Sequence, residues 1–311
     1  MKTNISLILI LCLLLGACKN GNASSQSKSE TPQDTIKAIK MPAIPQMMTA
    51  PEQRADFLAK HYWDNVNFAD TNYIHHPEVT EQAWADYCDL LNHVPLETAQ
   101  QAMRNVIDRT NVDKKVFTYI TDLADKYLYD PNSPMRNEEF YIPVLEAMIA
   151  SPVLNETEKI RPQARLKLAQ KNRIGTKALN FTYTLASGAQ GSLYQLKAEY
   201  LLLFINNPGC QACTETIEGL KNAPIINQLL QEKKLVLLSI YPDEELDEWK
   251  KHLSEFPNEW INGYDKKFTI IEEQVYDLKA IPTLYLLDKD KTVLLKDATA
   301  PAIEAYLMQH Q

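Results

Sequence analysis

Between positions 51 and 172 apolar residues recur at steps of three and four and no glycine interrupts them, a spacing that predicts a run of amphipathic helices. Pro51 suits a first helical position, with Phe57, Leu58, His61 and Tyr62 following on one face. Thr80 is placed to cap a helix whose Trp84, Tyr87, Cys88 and Leu91 form a stripe. Further helices are predicted over 96–110, 114–129, 137–150 and 155–171, the last opened by an Asn155/Glu158 capping box. Pro143 and Pro162 fall inside two of these spans and are expected to kink or split them. The pattern as a whole predicts an all-helical domain over 45–172.

The period changes near Gly175. Leu179, Phe181, Tyr183 and Leu185 alternate with Asn180, Thr182 and Thr184, and a turn-prone stretch leads on to 192–196, which together predict a hairpin. Two unbroken apolar runs follow, 200–205 and 235–240, joined by a helix over 211–231 that Gly219 and Pro224 interrupt. Strands buried on both faces and linked by a helix make a right-handed parallel unit. Helices near 244–253 and 270–278, strands at 283–287 and 292–295 around the turn Asp288-Lys289-Asp290, and a last helix from Ala300 complete an α/β region over 173–311.

The first seventeen residues, MKTNISLILILCLLLGA, carry one charge at Lys2 and an apolar core from Ile5 to Leu15, the pattern of a secretory signal. The run is shorter than the roughly 20 residues that span a bilayer. Leu15-Gly16-Ala17-Cys18 resembles the lipobox of bacterial lipoproteins, in which cleavage leaves the cysteine, here Cys18, as a lipidated N-terminus. Lys19 follows where those lipoproteins carry an aspartate for inner-membrane retention, so the expected address is the outer membrane, facing the periplasm. Residues 18–44 read as a flexible tether, Ser-, Asn-, Gln- and Lys-rich at first and extended at Met41-Pro42-Ala43-Ile44-Pro45. Loss of the signal removes only Lys2 among the charges and takes the net charge from -8 to -9. An acidic chain is a poor nucleic-acid binder. The expected partner at this end of the chain is the membrane, through the lipid anchor.

Cysteine usage narrows the chemistry. Cys12 leaves with the signal and Cys18 is expected to carry lipid, so Cys88, Cys210 and Cys213 remain, too few for a disulfide framework. Cys88 lies on the apolar stripe and reads as core. Cys210 and Cys213 stand where a buried strand turns into a helix; the helix dipole and nearby amide donors there favour thiolate over thiol. Cys210 is then the exposed nucleophile and Cys213, one turn inside, the thiol that resolves the mixed species. A structural disulfide would close a very small loop and stabilise little. No metal site is expected, because a structural zinc takes four ligands and the six histidines lack ligand spacing to the pair. His75-His76-Pro77 reads as a solvated loop.

The order of elements, Cys210-Gln211-Ala212-Cys213 after an aliphatic strand, and Ala280-Ile281-Pro282-Thr283 before a later one together resemble the thioredoxin fold, and more closely the TlpA/ResA type of envelope thiol-disulfide oxidoreductase. The resemblance covers 173–311 and implies a central mixed sheet flanked by helices with an N-terminal β-hairpin extension. The helical region is similar to an uncharacterised domain fused to such lipoproteins. Carried over, the Ile281-Pro282 bond is cis and packs against the cysteines, and the Ile281 backbone pairs with a substrate strand. The implied activity is thiol-disulfide exchange on secreted proteins, as a reductase, with thiols or disulfides of other envelope proteins as partners and no organic cofactor beyond a redox-active Cys210-Cys213 disulfide. Three positions depart from the thioredoxin pattern. Gly209 stands where tryptophan is usual, Gln211-Ala212 replace Gly-Pro, and strand 201–205 lacks a buried carboxylate, so that water, Glu215 or Glu218 is left to move the Cys213 proton. The alternative is a non-catalytic binding or assembly lipoprotein that uses the same scaffold with a locked disulfide.

Overall fold

The computed structural model describes residues 38–310; the signal segment, Cys18 and the first part of the tether lie outside the described residues. The helical half comprises α1 (Pro51–His61), α2 (Pro77–Leu91), α3 (Leu96–Arg109), α4 (Lys114–Ala124), α5 (Glu138–Ala150) and α6 (Glu156–Ala169). Asn155 and Glu158 form the expected capping box at α6. α2 begins at Pro77 rather than at Thr80, whose buried hydroxyl donates instead to the Tyr73 carbonyl at 2.7 Å. Pro143 does not split α5. A proline there cannot donate to the Glu139 carbonyl one turn back, and Gln100 of α3 donates to that carbonyl in its place at 3.1 Å. α4 opens into a wider π turn over Asp125–Tyr129. Trp63, Trp84, Tyr87, Phe117 and Tyr141 lie in the core of this half.

The second half runs β1 (Thr182–Leu185), β2 (Gln190–Ser192), β3 (Tyr200–Ile205), α7 (Gln211–Lys221), α8 (Pro224–Gln231), β4 (Leu235–Tyr241), α9 (Leu246–His252), β5 (Ile261–Tyr264), α10 (Thr269–Glu272), β6 (Thr283–Asp288), β7 (Val293–Lys296) and α11 (Ala300–Gln309). The strands form one seven-stranded mixed sheet in the order β2-β1-β5-β4-β3-β6-β7, with β3, β4 and β5 parallel. β3 lies between β4 and β6, which explains its unbroken apolar run. Leu202, Phe204, Leu237 and Leu286 pack under α7, α8 and α11, while Leu201, Leu203, Ile205 and Tyr285 face Phe181, Leu193 and Tyr276 on the other side.

Four sequence expectations shift. The predicted 211–231 helix is two helices, because Pro224 starts a new one. The second hairpin strand ends at Ser192 and continues as a short 3-10 turn. β5 escaped the pattern because its centre is Asn262-Gly263, residue types depleted in strands. A Cβ on Gly263 would lie 2.9 Å from the Tyr183 ring, so the close approach of β1 requires glycine there. The predicted 270–278 helix ends at Glu272, and 273–282 is irregular. The helical and α/β halves pack together as parts of one compact unit.

Candidate functional site

β3 ends in a polar clamp. The buried Asn206 side chain donates to Ser239 Oγ at 2.8 Å and its main-chain N–H to the Ile240 carbonyl at 3.0 Å, tying the ends of β3 and β4 together. The chain then turns through Asn207-Pro208-Gly209, where Gly209 adopts φ +70°, a left-handed conformation that favours glycine. This turn, not a bulky tryptophan, brings Cys210 to the start of α7.

Cys210 is the N-cap of α7, and its sulfur accepts the Cys213 main-chain N–H at 3.4 Å. Its thiol also points at the Ile281 carbonyl, 3.8 Å away. Cys213 sits one turn inside and is 2 % exposed, whereas Cys210 is half-buried. Burial, reinforced by the neighbouring Cys210 and only partly offset by the Asn207 main-chain N–H, pushes the Cys213 thiol up to about 12. One cysteine of the pair is therefore partly exposed and the other is buried behind it.

The Ile281-Pro282 bond is cis, as the resemblance implies. Ala280 is held by the Thr283 hydroxyl, which donates to its carbonyl at 2.6 Å, and both Ile281 and Pro282 are partly exposed. The Ile281 N–H makes no main-chain hydrogen bond among the described residues. Beside the pair runs a groove of about 480 Å³, walled by Ala212, Thr216 and Pro282 on one side and by Asn132 and Arg136 of the helical half on another.

The remaining candidates fall elsewhere. Cys88 is buried among its apolar neighbours, and burial pushes it up to about 12, so it is an inert core thiol. His75 closes a 3-10 turn and His76 pairs with Glu78 at 3.0 Å. Glu215 accepts from Gln211 at 2.9 Å and Glu218 pairs with Lys221 at 2.9 Å, both exposed and committed to partners on their own helix. Among the described residues no group of three or more His, Cys, Asp or Glu side chains is arranged to hold a metal ion. Asn206, Ser239 and the Asn207 N–H were not singled out by sequence reasoning. The only signal was a pair of asparagines directly after an aliphatic strand.

Comparison with known proteins follows the same division. Residues 198–293 match a family profile described as thioredoxin-like, and residues 17–172 match a domain of unknown function, DUF5106. A crystal structure of a thioredoxin-like protein from Bacteroides caccae is 83 % identical, covering 89 % of this chain and 100 % of its own, with a TM-score of 0.87. The C-terminal domain of an uncharacterised Bacteroides fragilis protein is 69 % identical over 44 % of this chain and 98 % of its own, TM-score 0.44. The thioredoxin domain of a thiol-disulfide oxidoreductase from Bacteroides vulgatus is 19 % identical over 44 % of this chain and 97 % of its own, TM-score 0.40. No curated protein matches the chain.

Proposed function

Because the chain belongs to the thioredoxin-like family, with a DUF5106 region ahead of its α/β half, we propose that it exchanges thiols and disulfides with secreted proteins of the cell envelope, acting as a reductase. The observation that carries this reading is the asymmetry of the pair: a partly exposed Cys210 at a helix start, beside Ile281-Pro282, with Cys213 buried one turn behind. A locked structural disulfide has no need of that asymmetry.

In the proposed cycle the Cys210 thiolate attacks one sulfur of a target disulfide. A Cys210-target mixed disulfide forms, and the target's other sulfur leaves as a thiolate and takes a proton from water. Cys213 then gives up its proton and attacks Cys210 Sγ, which closes the Cys210-Cys213 disulfide and releases the second target sulfur as a thiol. Two electrons pass from the pair to the target, and an envelope dithiol restores the reduced pair. The Ile281 main chain supplies hydrogen bonds to an extended target segment, and no organic cofactor takes part.

The reading includes an anchor on Cys18 and an outer-membrane, periplasm-facing address, both resting on the pattern of residues 1–19. Among the described residues no helix is long and apolar enough to cross a membrane. Replacing Cys213 by Ser in the cell tests the exchange directly. Envelope proteins are expected to accumulate as reductant-sensitive adducts on Cys210 and to disappear when Cys210 is also replaced; a Cys213→Ser strain without adducts contradicts the reading.

A further inference from the structure

Segment 273–282, between α10 and β6, has no helix or strand hydrogen bonding of its own, yet it delivers Ile281 and Pro282 to the cysteine pair. Such a segment moves unless groups outside it hold its main chain. Over 273–275 those groups come from the end of the helical half. Lys171 Nζ donates to the Glu273 and Gln274 carbonyls at 3.0 and 2.7 Å. Asn172 Nδ2 donates to the Val275 carbonyl at 2.7 Å.

Nearer the cysteines the support is a largely buried charge cluster. Lys279 Nζ lies 3.1 Å from Asp277 Oδ2, 3.1 Å from Asp297 Oδ2 and 3.2 Å from Glu138 Oε1. Its ammonium is also 5.3 Å from the centre of the Tyr129 ring. The second oxygen of Glu138 pairs with Lys296 of β7, which donates in turn to the Lys171 carbonyl at 2.8 Å. Burial alone would lower Lys279, but the Asp297, Glu138 and Asp277 carboxylates outweigh it and hold the ammonium charged. Of the three carboxylates, Glu138 alone belongs to the helical half, and it touches both lysines. Without Glu138, Lys279 keeps Asp277 and Asp297 but loses its tie to the helical half, and Lys296 loses the one carboxylate it pairs with among the described residues. Breaking a largely buried pair in this way is far more disruptive than losing an exposed one.

We propose that Glu138 is a positioning residue for disulfide exchange: from the first turn of α5 it holds Lys279, and through Lys279 the approach of residues 277–282 to Cys210. The DUF5106 region is then a working part of the substrate site, consistent with Asn132 and Arg136 walling the same groove. The inference rests on the exchange reading above.

The test uses Glu138→Gln, Glu138→Asp and, as a matched control, Glu139→Gln, all in the full chain. Glu139 is similarly buried and pairs across the same boundary with Arg173, Nε at 3.0 Å, but none of its hydrogen bonds or ion pairs reaches 273–282. With a peptide disulfide as substrate, Glu138→Gln is expected to raise KM about tenfold with kcat within about twofold, the signature of lost docking rather than lost chemistry. Amide hydrogen exchange over 277–284 is expected to quicken at least roughly tenfold in the same variant, because local opening becomes easier. Glu138→Asp falls between, and Glu139→Gln leaves both readouts at wild-type values. Wild-type KM and exchange in Glu138→Gln, or equal changes in Glu139→Gln, overturn the proposal. Should Glu138→Gln fail to fold, Glu138→Asp carries the same comparison. If the wild-type protein shows no turnover, the exchange reading fails, and hydrogen exchange alone then decides whether Glu138 holds the segment.

Discussion

Cys210 and Cys213 are one helical turn apart, yet their sulfurs meet different surroundings. Cys210 accepts an amide hydrogen bond at the helix start, while Cys213 is buried under it and pushed up to about 12. The ordinary thiol value is about 8.5, so the folded reduced protein holds the Cys213 proton more tightly than the unfolded chain does. Linkage then gives a reduced state whose stability is fully present below that ordinary value and falls as pH climbs from there toward 12. Burial, the largest cause of that shift, acts on Cys213 in the second chemical step as well. Because the thiolate is the attacking form, release of a target from the Cys210 mixed disulfide should accelerate roughly tenfold per pH unit between pH 7 and pH 9. Single-turnover release followed by mass spectrometry checks this, and a flat profile reveals a base at Cys213 that the described residues do not provide. Glu215 and Glu218, the acids nearest in sequence, are engaged with Gln211 and Lys221 instead.

Among the elements, the strand-turn-helix unit that carries the pair was legible from residue types. Five aliphatic or aromatic residues after Tyr200 mark a strand covered on both faces, and Pro208-Gly209 mark the turn. Gly209 is the hinge of that unit. Nothing lies within 4 Å of where its Cβ would be, so the cost of Gly209→Ala comes from the backbone at φ +70° and not from a clash. The expected loss is about 1 kcal/mol in urea unfolding; an unchanged midpoint contradicts it. Other elements were hidden for physical reasons. β5 hides behind Asn262-Gly263, where packing against Tyr183 overrides a poor strand propensity. The span 270–278 reads as helix in sequence, yet the helix ends at Glu272. The carbonyls of Glu273, Gln274 and Val275 go instead to Lys171 and Asn172, contacts made about 100 residues away in the chain that no local pattern reports. Glu138, Lys279 and Lys296 are hidden for the same reason: in sequence they look like surface charges, and only the packing of the two halves buries them.

On the scale of the whole molecule, the helical half packs against the segment that carries Ile281 and Pro282. It supplies a largely buried carboxylate to Lys279 and lines part of the groove beside the cysteine pair, so under the proposed exchange substrate contacts belong to both halves. The acidic net charge of -8 and the lipoprotein-like first residues fit a protein that meets other envelope proteins rather than nucleic acid. The proposed function depends on Cys210 being a reachable nucleophile with Cys213 ready to follow it. Stopped-flow mixing of the reduced protein with an aromatic disulfide reagent at pH 7 measures both properties at once. The expected result is a first phase at least roughly tenfold faster than glutathione, followed by release of a second equivalent of aromatic thiolate as Cys210-Cys213 closes, with only one equivalent from Cys213→Ser. A first phase no faster than glutathione, or a single equivalent from the wild-type pair, contradicts it.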